Sequence, residues 1–272
     1  ETMIKIFSAL TVFLLVSLSV NAGEPLIVAH RGASKDAPAN TIPAFQLAWE
    51  QGADAIEADF HLSKDGEIVC IHDVDTKRVA GTNLIVRNST LAELKQLDVG
   101  AIHGEAFKGT TIPTLAEVFA TIPENKKIYI EVKCGAEIVP VLLREIDQSG
   151  LTKDQIVVIA FKQEVIQQLK AQAPHYKASW LCSFKKQETG EITPSLDTVL
   201  KTLKAIEADG LSSNTAVPVS VIEAIGQQGY EWHAWTINNL KAARRMQAMG
   251  ALSITTDVPG VMRQNLISVE LQ

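Results

Sequence analysis

Leu26-Ile27-Val28-Ala29-His30-Arg31-Gly32 is an apolar run that breaks without a spacer into two basic residues and a glycine. The pattern recurs. Ala55-Ile56-Glu57-Ala58-Asp59 and Ile128-Tyr129-Ile130-Glu131-Val132-Lys133 also end an apolar run in charge. Short β-branched runs of this kind predict buried strands, and charge at their C-terminal ends marks the place to look for chemistry. Similar runs at 156–161, 178–182, 208–212, 231–237 and 251–255 bring the strand candidates, with 26–29, 55–59 and 128–132, to eight. Helical stretches separate most of them. Thr114 with Glu117 and Ser220 with Glu223 read as capping boxes, and Gly52, Gly150, Gly229 and Gly250 as helix stops. Alternating strands and helices predict a parallel sheet, and eight such units at this length predict a closed (β/α)8 TIM barrel of the α/β class. An extra strand at 67–71 returns across the Asp65-Gly66 turn. The polar, weakly patterned stretch 74–111 reads as a small insertion after the second strand, capping the barrel mouth.

Composition agrees with one globular unit. The chain has 272 residues, 46% of them hydrophobic and 21% charged, which excludes a disordered tail and a bundle of membrane spans. Its formal charge is −6 and it has no Lys/Arg run, so nucleic acid is not an expected partner. An anionic ligand would need a local cation. Residues 1–22 read as Glu1 and Thr2 ahead of an export signal: Met3, Lys5, an apolar stretch from Ile6 to Val20, then Asn21 and Ala22. That stretch falls short of the ~20 apolar residues of a membrane span, so no stable membrane anchor is expected. The chain reads as exported, periplasmic or secreted, with 23–272 as a single catalytic domain. Cys70, Cys134 and Cys182 are too few and odd in number for a disulfide framework, and read as buried thiols. Oligomeric state stays open.

The charged strand ends carry the functional reading. Glu57 and Asp59 are two apart on a strand and face the same side. Two like charges buried together are costly unless a cation joins them. With Glu131 they make a carboxylate set lacking Cys or His, which favours a hard divalent ion, Mg²⁺ or Ca²⁺. The alternative is a set of structural salt bridges to Arg31 and Lys133. His30 ends the first strand and His72 ends the returning excursion, beside Asp73. Two imidazoles near a metal can divide the labour of taking a proton from a nucleophile and giving one to a leaving alkoxide. Three carboxylates, a divalent ion, Arg31 and Lys133 leave one net positive charge, which a phosphodiester monoanion would neutralise.

Taken in order, His30-Arg31-Gly32, Ala37-Pro38-Ala39-Asn40-Thr41, Glu57-Ala58-Asp59, Lys64-Asp65-Gly66, His72-Asp73, Glu131-Val132-Lys133, Trp235-Thr236-Ile237-Asn238 and Thr256-Asp257-Val258-Pro259 resemble the glycerophosphodiester phosphodiesterases. The resemblance runs from Ile27 to Pro259. It implies a TIM barrel with a small insertion that uses a divalent ion to cleave glycerophosphodiesters into glycerol 3-phosphate and an alcohol. By position it implies Glu57, Asp59 and Glu131 as metal ligands, His30 and His72 as the acid/base pair, Arg31 as the phosphate grip and Lys133 as its assistant. It also implies attack by the neighbouring glycerol hydroxyl, giving a cyclic phosphate that water then opens. Two departures stand out: Ala39 replaces the family's usual Glu, and Ala160 a strand-end Ser.

Trp235 is a candidate wall over the glycerol carbons, and Lys162 either touches substrate or faces solvent. His233 shares the Trp235 face and reads first as core, while Trp180 is undecided. His61, His103 and His175 show no partner pattern and read as exposed or loop-bound. Asp257 reads as the N-cap of a last helix. Two rival activities remain: a phospholipase-D-like or lyase reaction on lysophospholipids, which an apolar lip on the insertion would favour, and non-catalytic binding of a phosphate ester.

Overall fold

The computed structural model describes residues 23–267, so the expected leader at 1–22 lies outside the described residues. The strands are β1 (Leu26–His30), β2 (Ala55–Leu62), β3 (Ile68–Cys70), β4 (Lys127–Val132), β5 (Ile156–Ala160), β6 (Lys177–Cys182), β7 (Lys185–Lys186), β8 (Ile192–Thr193), β9 (Gly210–Ser213), β10 (Glu231–Ala234) and β11 (Ser253–Thr256). Eight of them, β1, β2, β4, β5, β6, β9, β10 and β11, pair in parallel, and the β1–β2 and β1–β11 ladders close the sheet on itself. Each of the eight expected strands therefore exists, and the chain is a TIM barrel. The short β7–β8 hairpin and the antiparallel β3 stand outside the closed ring.

Alternation along each strand sorts side chains into two cores. Outward residues such as Ile27, Ala29, Ile56, Phe60, Ile128 and Ile130 pack against the helices in one continuous cluster. Inward residues make a smaller cluster of Val28, Ala55, Tyr129, Ile159 and Leu181 on the barrel axis. Above that plug the inward positions turn polar, and the C-terminal ends of the strands open as the mouth. β2 is the longest of these strands, and it is the one strand that pairs on both sides within the barrel and also carries the antiparallel β3.

The segment 74–111 is built mainly of short helical turns, including helices Lys77–Ala80 and Leu91–Leu94. It sits over its own small core of Val69, Ile71, Val86, Leu94, Val99 and Ile112. Asp98 replaces secondary structure as the organiser of one loop by accepting from the backbone N–H groups of Gly100, Ala101 and Gly109. That local hydrogen bonding explains the weak hydrophobic period of the stretch.

Two local expectations are corrected. The Thr114–Glu117 capping box is present, but Ser220 caps nothing, because helix Val219–Gln227 starts two residues earlier than a Ser220 cap would place it, with Pro218 as its N-cap. Proline's fixed φ supplies the helix start there without a side-chain acceptor. Asp257 is not an N-cap either: Val258 precedes helix Pro259–Met262, and the Asp257 carboxylate points back to the barrel mouth. Among the described residues no helix is long and apolar enough to cross a membrane. The three cysteines are free thiols, Cys70 and Cys182 buried and Cys134 half-buried.

Candidate active site

Parallel register brings the strand-end residues side by side. His30 pairs with Glu57 across β1 and β2, and Asp59 pairs with Glu131 across β2 and β4. Neighbouring strands lie ~4.8 Å apart, so these two pairings together with the two-residue spacing of Glu57 and Asp59 force three carboxylates into one patch. One oxygen from each of Glu57, Asp59 and Glu131 lies within 4.8 Å of the other two, and all three side chains are buried.

The loop after β1 locks that patch. Arg31 and Asn40 both take left-handed backbone conformations, with φ of 58° and 61°. These are uncommon for residues with a Cβ. Each is held by a hydrogen bond to a site carboxylate: the Arg31 N–H donates to Glu57 Oε2 at 2.9 Å, and the Asn40 amide donates to Asp59 Oδ2 at 2.8 Å. Asn40 Oδ1 in return accepts the Asp59 N–H at 3.2 Å. Gly32 between them is obligatory, since a Cβ there would come within 2.6 Å of the Ala44 backbone. Thr41 then caps helix Ile42–Glu50. Ala39, where the resembled family has Glu, borders a cavity of only about 20 Å³ beside Arg31 and Arg78.

Electrostatics decide how much of the patch the protein neutralises itself. Arg31 Nε lies 3.0 Å from Asp59 Oδ2, while Lys133 Nζ lies 2.6 Å from Glu131 Oε1 and 3.4 Å from Asp59 Oδ1. Burial pushes Asp59 up, but Lys133, Arg31 and the Asn40 hydrogen bond outweigh it and hold its carboxyl below the usual range. Burial, then Asp59 and Glu131, push Glu57 well above the usual range, and burial and Asp59 raise Glu131. Two cations against three acids leave one carboxylate over, and Glu57 Oε1 has no hydrogen-bond partner among the described residues. The salt bridges expected as the alternative thus form, yet they do not exhaust the cluster. An all-oxygen, buried, over-negative set with an orphaned oxygen fits a hard divalent cation.

Both expected imidazoles reach the same cavity. About 190 Å³ in volume, it is lined by His30, Arg31, Glu57, His72, Glu131 and Lys133 on one side and by Tyr129, Ile159, Leu181, Phe161 and Trp235 on the other. Trp235 therefore stands where a wall was expected, edge-on to Phe161 with ring centroids 5.7 Å apart. His233 also lines this cavity, its Nδ1 2.9 Å from Ser253 Oγ. Lys162 lies outside it, exposed in a neighbouring groove.

Each imidazole is oriented by a carboxylate. His72 Nδ1 lies 2.6 Å from Asp73 Oδ1, and Asp73 Oδ2 accepts from Arg78 Nε at 2.6 Å. His30 Nδ1 lies 2.6 Å from Asp257 Oδ1, which also accepts from Ser34 Oγ at 3.0 Å. Asn238 completes that clamp, donating from Nδ2 to Asp257 Oδ2 at 2.5 Å and accepting the Asp257 N–H at 2.9 Å. With Nδ1 so engaged, each Nε2 is left for chemistry, and His30 Nε2 stands 4.0 Å from Glu57 Oε2. Asp257 and Asn238 are the site-shaping residues that reading by residue type missed. The signal was in the sequence as the matched Trp235–Asn238 and Thr256–Pro259 motifs, whose Asn and Asp prove to be partners. His61 was misread as exposed. It is a buried inward residue of β2 whose Nε2 is 3.2 Å from the His72 carbonyl oxygen, so it props the loop that carries His72.

Residues 30–261 match the model of the glycerophosphoryl diester phosphodiesterase family. A glycerophosphodiester phosphodiesterase of Caldanaerobacter subterraneus subsp. tengcongensis is 34% identical over 239 residues, covering 86% of this chain and 94% of that protein. One from Bacillus subtilis is 26% identical, covering 88% of this chain and 85% of that protein. Among solved structures, an Oleispira antarctica phosphodiesterase in complex with the product sn-glycerol-3-phosphate superposes with a TM-score of 0.80 at 27% identity, over 90% of this chain and 97% of the other. A Thermotoga maritima glycerophosphodiester phosphodiesterase gives 0.71 at 26% identity, over 88% and 97%. The match begins at His30 and ends just past the Asp257 clamp, enclosing every residue that lines the mouth, and the chain belongs to the glycerophosphoryl diester phosphodiesterase family.

Proposed function

We propose that this protein is a metal-dependent glycerophosphodiester phosphodiesterase, hydrolysing its substrate to glycerol 3-phosphate and an alcohol. One observation carries the reading: a single cavity gathers two carboxylate-oriented imidazoles, two cations, Glu57 and Glu131, and Asp59 buried beneath completes an under-neutralised triad of acids. Glu57, Asp59 and Glu131 would hold a hard cation, Mg²⁺ or Ca²⁺, which when bound offsets charge on the phosphoryl oxygens. Arg31 and Lys133 face the same oxygens. Burial would lower Lys133, but Asp59 and Glu131 hold its pKa above the ordinary lysine value, so it stays a cation throughout the physiological range. The apolar wall of Tyr129, Ile159, Leu181 and Trp235 takes the glycerol carbons and excludes water from that side.

In this reading one imidazole Nε2 takes the proton of the glycerol hydroxyl next to the ester as its oxygen attacks phosphorus. The other gives a proton to the departing alkoxide as the P–O bond to the alcohol breaks. The two then exchange tasks while water opens the cyclic phosphate. An exported location, periplasmic or secreted, accords with the apolar segment before residue 23. Small soluble diesters suit the cavity better than lysophospholipids, because the large apolar residues that the insertion exposes are few: Val74 and Ile85 in a neighbouring groove and Ile102 outside it.

The test is a product assay on glycerophosphocholine, glycerophosphoethanolamine and glycerophosphoglycerol with each ion in turn. Release of glycerol 3-phosphate that chelation abolishes and one ion restores is the expected result. Binding of the diesters with no product would instead establish a non-catalytic phosphate-ester-binding protein, and hydrolysis indifferent to chelation would remove the metal.

A further inference from the structure

The backbones of the two mouth imidazoles are held in different ways. His30 lies inside the β1–β2 ladder, paired with Glu57, so the sheet itself fixes its position. His72 lies past the end of β3, where the ladder has stopped: the last tie is the Ile71 N–H, which donates to the Asp59 carbonyl oxygen at 2.9 Å. Among the described residues the His72 backbone makes no hydrogen bond to another backbone group. Its carbonyl oxygen is met instead by a side chain, the His61 imidazole, with Nε2 at 3.2 Å. A carbonyl oxygen only accepts, so that nitrogen carries the proton.

His61 is the next inward residue of β2 after Glu57 and Asp59, and it is buried. Antiparallel pairing of His61 with Val69 folds the excursion back across it and brings the His72 carbonyl within reach of the ring. One strand therefore carries two of the three clustered acids and the donor that fixes where His72 stands. The His72 ring is then aimed by Asp73, at 2.6 Å. His61 itself lies outside the catalytic cavity and outside the carboxylate triad. A neutral imidazole suits the task, because it ends a stiff side chain in one donor of fixed direction and adds no charge beside Asp59.

Resting on the phosphodiesterase reading above, we infer that His61 is a positioning residue for the reaction, holding His72 where its Nε2 can exchange a proton with the substrate. Without the donor, the carbonyl of residue 72 has lost its tie, and the imidazole drifts from the hydroxyl or alkoxide it serves. Misplacing a reacting group by about 1 Å costs on the order of 10²-fold in rate. The loss falls on kcat, and it runs entirely through His72.

The experiment compares His61→Gln with His61→Met, each alone and combined with His72→Ala, on glycerophosphocholine. The two replacements match in length, and only the glutamine donates to the His72 carbonyl. His61→Gln should keep kcat within about threefold, and His61→Met should lose about 10–100-fold, with KM and calorimetric Mg²⁺ or Ca²⁺ affinity unchanged. Combined with His72→Ala, the two should turn over equally, because the imidazole they act through is gone. Thermal melts verify folding. Equal kcat for the two single variants, metal affinity lost in His61→Met, or a methionine deficit that persists without His72 overturns the inference.

Should no diester be hydrolysed, the phosphodiesterase reading falls, and ¹⁵N imidazole spectra decide the positioning separately. His72 ring resonances that shift or broaden in His61→Met but not in His61→Gln sustain it, and resonances unaltered or equally altered in both end it. In the natural protein the same spectra should show His61 as the Nε2–H tautomer. The Nδ1–H form would end the inference whatever the variants do.

Discussion

The two histidines face one cavity, but the protein builds their supports by different means. His30 ends β1 and is clamped by Asp257, which Ser34 and Asn238 hold in turn; Asp257 and Asn238 follow β11 and β10 and reach His30 only because the barrel closes. His72 follows β3, is clamped by the adjacent Asp73, and shares that carboxylate with Arg78 of the insertion. The first imidazole is 17% exposed, the second 33%. Asp257 has neutral partners besides the imidazole, so its charge is directed at His30. Asp73 spends part of its charge on an exposed guanidinium, so less is left for His72, whose pKa burial lowers. The barrel supplies a rigid, undivided support, and the insertion a divided, more solvated one.

The largest effects should come from the imidazoles themselves. His30→Ala and His72→Ala should each lower turnover by about 10²–10⁴-fold while retaining the metal. Steady-state rates with calorimetric Mg²⁺ or Ca²⁺ titration measure both, and unchanged hydrolysis in both variants would remove the acid/base assignment.

Next come their carboxylates, where the comparison itself is at stake. Asp257→Asn should cost about 10²-fold in kcat, because an amide no longer fixes the His30 tautomer, whereas Asp73→Asn should cost about tenfold. Equal losses would show that closure of the barrel adds nothing to the clamp.

A smaller effect tests the sharing of Asp73. Arg78→Ala leaves that carboxylate wholly to His72, which favours the protonated imidazole and raises its pKa. The limb of the pH–rate profile governed by His72 should move to higher pH. Movement to lower pH would contradict the scheme.

The smallest effect is on stability. Burial would raise Asp257, but the hydrogen bonds from His30 and Asn238 outweigh it and hold its carboxyl down at about 2, against 3.8 ordinarily. A lowered folded-state pKa stabilises above the unfolded value, and that contribution, on the order of 2 kcal/mol, is lost as pH falls from about 4 to about 2. Urea unfolding across that window should show a shallower loss in Asp257→Asn than in the natural protein.

Much of this was legible along the chain. The eight apolar runs are set by short-range hydrophobic pattern, and period-two alternation alone puts Glu57 and Asp59 on one face. Where strand readings missed, they missed at ends. The run 231–237 leaves the ladder after Ala234, although the Trp235 and Ile237 N–H groups still bond Ser213 and Thr255 as the chain bends to bring Asn238 to Asp257.

What the residues alone determined is therefore the barrel, the carboxylate set and the two imidazoles, because each rests on local period or on type and spacing. Tertiary structure decided the rest. Asp257 lies 227 positions from His30 and looks like a helix cap until β11 closes against β1. His61 looks unremarked until the excursion folds back over it. Partners so distant in the chain are chosen by closure of the sheet and by the field inside it, quantities that no window of neighbouring residues contains.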